Sequence, residues 1–354
     1  MEAPALLAWY RAHRRKMPWR DVVSPYRTLV SEIMLQQTRV DTVIPYFERF
    51  MEDFPTVDAL AAAPLERVLE RWSGLGYYSR ARNLHAAARV VTADGGFPTD
   101  AEGLRALPGV GPYTAGAIAS IALGLDEPLV DGNVERVVCR QKAWAEDPKR
   151  IKAKLWETTR AWLPKGEAGD FNQALMELGA TVCTPTSPSC LLCPVRATCA
   201  GVDAPERYPD KPKKAAVPEA TAVAAFLRDE GRILLARRPD TGLLAGLWEL
   251  PGALGDDLAT ALRDRVGLTL VDATPLGTVT HVFSHLRLHT TVYEARAEGV
   301  VQIGGGYQEA RWVPIAEVDG MALSTSSRKT LRLGSAPTAT PRTPPARGHR
   351  APPS

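Results

Sequence analysis

Between Leu107 and Val134 the chain carries a pattern that few folds can accommodate. Leu107-Pro108-Gly109-Val110-Gly111-Pro112-Tyr113 places two glycines one residue apart, ahead of a small-residue run from Tyr113 to Gly124 with helical character; Val130-Asp131-Gly132-Asn133-Val134 follows. Glycine supplies the unusual backbone angles of a tight turn, and a turn that opens a helix leaves amide N–H groups facing outward, where a phosphate can dock. Alone, a Gly-x-Gly pair is an ordinary turn, and Asp before Gly is commonly a turn or helix-capping residue. Two companions give the pattern meaning. Glu32 stands inside the apolar turn Ser31-Glu32-Ile33-Met34-Leu35-Gln36-Gln37-Thr38, and four cysteines crowd between Cys183 and Cys199.

The 354 residues suffice for two domains with their own cores and a tail. Residues 1–200 read as mainly helical. Leu65, Val68, Leu69 and Trp72 fall at helical spacing before Gly74, the pattern Ala81, Leu84, Ala88, Val91 runs to Gly95-Gly96, and Asp170 is placed to cap a helix from Phe171 to Gly179. Residues 201–219 are rich in proline and charge and read as a linker. Residues 220–333 read as α+β, with a hairpin turn at Asp229-Glu230-Gly231, a short helix from Leu258 to Val266, and strands at Thr278–Phe283 and Leu286–Ala297 around Ser284-His285. Residues 334–354, proline-rich and without an acidic side chain, are expected to be disordered.

A net charge of +3 neither demands nor excludes nucleic acid, so any DNA-binding field must be local. No run of apolar residues is long enough to span a membrane, and no basic-then-apolar leader precedes the first helix, so a cytoplasmic protein is expected. Cysteines clustered in one stretch of such a chain point to a metal centre rather than a disulfide scaffold. The spacing Cys183-x6-Cys190-x2-Cys193-x5-Cys199 admits either structural zinc or an iron–sulfur cluster. Cys139, apart from these, reads as a small buried hydrophobe.

Two carboxylates in contrasting environments can divide acid–base work, one kept protonated as a donor and the other kept ionised to stabilise positive charge. Glu32 and Asp131 are the candidates. Burial among apolar neighbours would raise the pKa of Glu32 and keep it a proton donor.

The segments Ser31–Thr38, Gly74-Leu75-Gly76-Tyr77-Tyr78, Leu107–Gly111 and Val130–Val134, with the cysteine spacing, resemble the MutY-type adenine glycosylases of the helix-hairpin-helix base-excision family. The resemblance implies a mainly α helix-hairpin-helix core, with a six-helix-barrel part near 22–125 and a cluster part formed by 1–21 and 126–200. It implies a [4Fe-4S] cluster on Cys183, Cys190, Cys193 and Cys199. Glu32 would protonate N7 of a flipped adenine, and Asp131 would stabilise the cation at C1′ and can bond there transiently. Tyr113 would hydrogen-bond near Asp131, and Asn133 would hold the aspartate or the sugar-phosphate. Bifunctional relatives carry a lysine at the Tyr113 position; a phenol cannot form that Schiff base, so base release without strand cleavage is expected.

The same resemblance makes Gln37 a wedge into the duplex and Tyr77 a stacking residue beside the opposite base. Arg80 and Arg82, next to that loop, are expected at phosphates together with the turn of Gly109, Val110 and Gly111. Trp19, Arg20 and Glu177 would line the adenine pocket. In the C-terminal region, Gly242–Gly252 resembles the entry to a Nudix fold, but Leu258–Leu268 lacks the paired glutamates that hold divalent metal in Nudix hydrolases. The implied domain is a recognition module in which Phe283, Ser284 and His285 check for 8-oxoguanine. The partner expected is double-stranded DNA carrying A:8-oxoguanine or A:G, bound by a monomer without any membrane. A thymine mismatch glycosylase and a Nudix pyrophosphohydrolase with a DNA-binding appendage are the alternatives.

Overall fold

The computed structural model describes residues 1–210 and 216–335, which form two compact units. The first holds Met1–Ala216 with the short segments Asp240–Leu247 and Gly320–Ser324. Its helices are α1 (Ala3–His13), α2 (Pro18–Asp21), α3 (Pro25–Leu35), α4 (Val40–Asp53), α5 (Val57–Ala62), α6 (Leu65–Trp72), α7 (Ser79–Ala93), α8 (Ala101–Ala106), α9 (Pro112–Ala117), α10 (Gly132–Lys142), α11 (Lys152–Trp162) and α12 (Ala168–Thr181). A π-helical turn, Ile118–Ala122, prolongs α9.

Starts are written locally. Ser24, Thr56, Asp100 and Asp131 each accept a backbone N–H from the first turn of α3, α5, α8 and α10, satisfying donors that the helix cannot. Proline stands at the start of α2, α3 and α9, where its missing N–H costs nothing. One apolar core draws Leu6, Leu7 and Tyr10 of α1 together with Val134, Val137 and Val138 of α10, Leu155 of α11, and Phe171, Leu175 and Leu178 of α12. The chain's first helix thus packs in one core with its later ones.

Several boundaries differ from the sequence reading; the strand expected from Thr278, for one, begins at Thr269. Helix α12 starts at Ala168 with Glu167 at its N-cap, so Asp170 lies in its first turn, where it accepts from Arg11 Nε at 3.2 Å. Residues 201–210 are not a free linker: the Gly201 and Asp210 amides donate to the carbonyls of Arg140 and Ala145 (2.9 Å each), and Arg140 Nε donates to the Pro205 carbonyl at 2.8 Å. Gly334 and Ser335 end a helix, and the remainder of the expected disordered tail lies outside the described residues, as do 211–215.

The second unit is built on β1 (Glu219–Asp229), β2 (Arg232–Arg237), β3 (Trp248–Glu249), β4 (Gly252–Leu254), α13 (Leu258–Val266), β5 (Thr269–Val282), β6 (Arg287–Glu298), β7 (Glu309–Pro314) and α14 (Thr325–Ser335). The strand order is β3-β2-β1-β6-β5, with β4 also on β1 and β7 on β2; β1 and β6 run parallel and the other pairs antiparallel. Ala222 to Leu227 are all buried, because both faces of β1 are covered. Val223, Ala225 and Leu227 pack with Leu258, Ala261, Leu262 and Val266 of α13, while Phe226 fits against Gly334 of α14. The β1–β2 turn takes positive φ at Glu230 (44°) and Gly231 (77°), the twist a two-residue hairpin needs. Among the described residues, no helix is long and apolar enough to cross a membrane.

Candidate active site

A cleft of about 960 Å³ opens in the first unit, lined among others by Trp19, Arg20, Glu32, Gln37, Tyr113, Asp131, Asn133 and Glu177. Glu32 reaches it from the buried face of α3 and is 5% exposed. Burial drives its pKa up to about 7; the Asp131 charge adds to the rise, and a hydrogen bond from Tyr113 with the nearby Arg20 charge opposes it. That hydrogen bond is short, 2.5 Å from Tyr113 Oη to Glu32 Oε2. Tyr113 lies near Asp131, as the resemblance implies, and its phenol donates to Glu32; burial raises its own pKa well above the ordinary value.

Asp131 is the N-cap of α10. Its Oδ1 accepts from the amides of Asn133 (2.9 Å) and Val134 (2.7 Å), and its Oδ2 from Asn133 Nδ2 (2.8 Å). Burial raises the Asp131 pKa, and these three donors pull against the rise by favouring the ionised form. Asn133 is held in turn: Arg136 Nη2 donates to its Oδ1 at 2.8 Å and to the Gly179 carbonyl at 2.7 Å. Gly179 lets α12 pass this close, since a Cβ there would lie 2.6 Å from that of Asn133. Arg136 went unnoticed in the sequence. The signal was present, because Arg136 and Arg140 share a face of α10 one turn apart, beside buried Val137.

The same cleft carries Trp19, packed edge-on against Phe47, together with Arg20 and Glu177. Arg15 Nε and Arg20 Nη2 donate to the two Glu177 oxygens at 2.6 and 3.0 Å. Burial of Glu177 works against ionisation, but the two guanidiniums win and its pKa is lowered. Arg15 was also missed; nothing in Arg14-Arg15-Lys16 sets it apart from a solvated basic run.

Gln37 and Tyr77 are exposed and share a backbone peculiarity, left-handed angles (φ 56° and 48°) rare outside glycine. The Gly109 turn is also left-handed, φ 73°, and a Cβ there would sit 2.5 Å from that of Asn83. The Val110 amide is spent inside the turn on the Leu107 carbonyl (3.1 Å), which corrects its expected role; the Gly109 and Gly111 amides have no partner among the described residues. Arg80 is corrected too: it is buried and its guanidinium is surrounded by backbone carbonyls, so its head group is not free for phosphate, while half-buried Arg82 donates to the Ala245 carbonyl within the same unit.

Cys183, Cys190, Cys193 and Cys199 are unpaired and line one small cavity with Val137, Leu178 and Val182; Arg140 Nη1 points at Cys183 Sγ from 3.3 Å. Among the described residues, no group of three or more His, Cys, Asp or Glu forms a site for a single ion. Four soft sulfur donors around one cavity are a ligand set that an iron–sulfur core could use, and the Arg140 guanidinium could offset the charge of their thiolates. In the second unit, Phe283, Ser284 and His285 occupy the tip between β5 and β6, closed by the Phe283 amide on the Leu286 carbonyl (2.7 Å). Phe283 is half-buried edge-on against His281 (4.5 Å between ring centres), and Ser284 and His285 are exposed.

Residues 30–161 match the family described as HhH-GPD superfamily base excision DNA repair protein, and residues 222–333 match the NUDIX domain. The chain is 38% identical to the adenine DNA glycosylase of Rattus norvegicus, over 93% of this chain and 77% of that protein. It is 37% identical to the adenine DNA glycosylase of Homo sapiens, over 93% and 73% respectively. The solved structure of a thermostable thymine-DNA glycosylase superposes with a TM-score of 0.52 at 30% identity, covering 57% of this chain and 94% of that one.

Proposed function

The chain belongs to the adenine DNA glycosylases of the helix-hairpin-helix base-excision superfamily, and we propose that it removes adenine paired with 8-oxoguanine or guanine in duplex DNA, without cutting the strand. What carries the proposed chemistry is one cleft holding two carboxylates, both with a pKa raised by burial but differently partnered. Glu32, with a pKa near 7, meets a single O–H donor, whereas Asp131 is clasped by three N–H donors.

An adenine swung out of the stack would enter that cleft, at a cost of a few kcal/mol that the protein must offset. Glu32 gives its proton to N7. The C1′–N9 bond then breaks, its electron pair leaving with the base. Ionised Asp131 stabilises the positive charge left on the sugar, in a pocket where few waters compete. Water adds at C1′, and its proton restores the Glu32 acid. Asn133, fixed by Arg136, keeps Asp131 aimed. Tyr113 offers no amine for a Schiff base, so the product is an intact strand with an abasic site.

Gln37 and Tyr77 would open the duplex, and the free amides of Gly109 and Gly111 would grip a phosphate in a salt-sensitive, sequence-independent way. Trp19, Arg20 and Glu177 would frame the base. Phe283, Ser284 and His285 would read the 8-oxoguanine. Cys183, Cys190, Cys193 and Cys199 would hold a [4Fe-4S] cluster; when bound, it would tie the turns of the loop after α12 to one another as a structural crosslink.

Duplexes carrying A, T or G opposite 8-oxoguanine or guanine test the assignment, with alkali used afterwards to cleave abasic sites. Breaks at A opposite 8-oxoguanine, appearing only after alkali, are the expected result. Release of T opposite G instead would overturn it, and hydrolysis of nucleoside triphosphates would favour the Nudix alternative.

A further inference from the structure

Arg80, displaced from a phosphate role, holds something else together. It lies in the first turn of α7, is 7% exposed, and its guanidinium joins two chain segments. Nη1 donates to the carbonyls of Ile33, Met34 (2.9 Å each) and Gln36 (2.5 Å), at the end of α3. These are carbonyls a helix terminus leaves without an internal partner. Nη2 donates to the carbonyls of Leu75 and Gly76 (3.2 Å each) and to Thr38 Oγ1 (3.3 Å). The plane of the head group lies 5.4 Å from the ring centres of both Trp72 and Tyr77. Each segment it grips ends in a left-handed non-glycine residue, Gln37 on one side and Tyr77 on the other. A backbone of that kind costs of order 1 kcal/mol or more and persists only where its surroundings impose it.

We infer that Arg80 is a positioning residue for duplex opening, locking the Gln37 and Tyr77 tips into one two-pronged edge with a fixed separation. This rests on the proposed DNA roles of Gln37 and Tyr77. The planar fork is what the site uses: it reaches carbonyls on both segments at once while stacking on two rings. A lysine ammonium has three donors at one point and can do neither.

Arg80→Lys keeps the charge and most of the apolar stem, and Arg80→Met keeps only the stem. Adenine excision under single-turnover conditions should fall about 10- to 100-fold in Arg80→Lys, the scale of misplacing a positioning group by an ångström. The fluorescence rise of 2-aminopurine placed opposite 8-oxoguanine, which reports unstacking, should fall with it. The pH midpoint of excision should stay put. The slope of log affinity against log salt should also be unchanged; a slope reduced by about one would identify a direct phosphate contact and overturn the inference. In a Gln37→Ala/Tyr77→Ala background, Arg80→Lys should add little, because its effect passes through those tips; an equal loss there would overturn it.

Should neither Arg80 variant fold, amide hydrogen exchange of the wild-type protein decides. Residues 33–38 and 75–78 should open together, and independent opening would overturn the inference. A wild-type protein that releases no adenine from any duplex would sink the proposed function instead. An active wild type matched by Arg80→Lys would sink only the role given to Arg80.

Discussion

Glu32 and Glu177 face the same cleft and are buried to nearly the same degree, 5% and 2% exposed, yet they are driven in opposite directions. Glu32 meets a phenol and a neighbouring carboxylate, and its pKa climbs to about 7. Glu177 meets two guanidiniums, and its pKa drops below the ordinary value. Burial penalises the ion at both sites, so the partner decides the charge. One glutamate is thereby kept as a proton store, and the other as a fixed anion between two cations.

The sharpest way to break this contrast is Glu32→Gln. Excision should fall by at least about 10²- to 10⁴-fold, the usual worth of a general acid, while duplex affinity changes little. Single-turnover base release and a binding titration check this; near-normal turnover would mean that another group supplies the proton. The same variant tests the energetics of the site. A carboxyl raised from 4.5 to about 7 on folding contributes stability that is complete below 4.5 and lost as pH rises through 7. The loss corresponds to about 3 kcal/mol. Glutamine does not titrate, so Glu32→Gln should be the more stable protein near pH 8, with the gap closing towards pH 5 in urea melts.

At Glu177 the sign reverses. Arg20→Ala leaves Glu177 with Arg15 alone, and that arginine is the more exposed of the two, at 40% against 12%. Stripping one partner from a buried ion pair costs roughly 3–5 kcal/mol, and the remaining cation reduces this to about 2 kcal/mol. Because Glu177 has a lowered pKa, its stabilisation is present above its ordinary 4.5 and disappears as pH falls through the lower folded value. The deficit of Arg20→Ala should therefore be greatest at neutral pH and shrink in acid. A deficit that grows in acid would show that Glu177 is not held as an anion.

Why were some of these residues legible in the sequence and others not? Features fixed by neighbours along the chain were readable. The bounds Leu258–Val266 coincide with α13, the Asp229-Glu230-Gly231 turn joins β1 to β2, and Gly109 takes the left-handed turn expected of it. Asp131 shows that a bland reading and a functional one can both hold: it caps α10, and the same hydrogen bonds prepare its carboxylate to stay ionised. Features set by distant segments were not readable. Ser79-Arg80-Ala81-Arg82 looks like a solvated or phosphate-binding stretch, since nothing local reveals that the end of α3 brings its carbonyls to Arg80. Residues 201–210 have the composition of a linker, yet carbonyls of α10 and of Ala145 just beyond it capture their amides. Which carboxylate the Tyr113 phenol meets is likewise set by the approach of α9 to α3, and nothing local records that it donates to Glu32.

That last detail gives the finest test of the contrast between the two glutamates. The Tyr113 hydroxyl favours ionised Glu32 by donating to it, so it moderates the rise that burial causes. Tyr113→Phe removes the donor and keeps the ring. Glu32 should then hold its proton to a higher pH, by roughly one unit, the worth of one hydrogen bond to a carboxylate in a buried site. The alkaline limb of the excision profile should move up by that amount, while the rate on the acid plateau, where Glu32 is already protonated, changes much less. An unmoved limb would mean that the group titrating in the reaction is not Glu32. A limb moved down would mean that the phenol stabilises the neutral acid, and that Glu32 owes its proton to its partner, as Glu177 owes its charge, more than to burial.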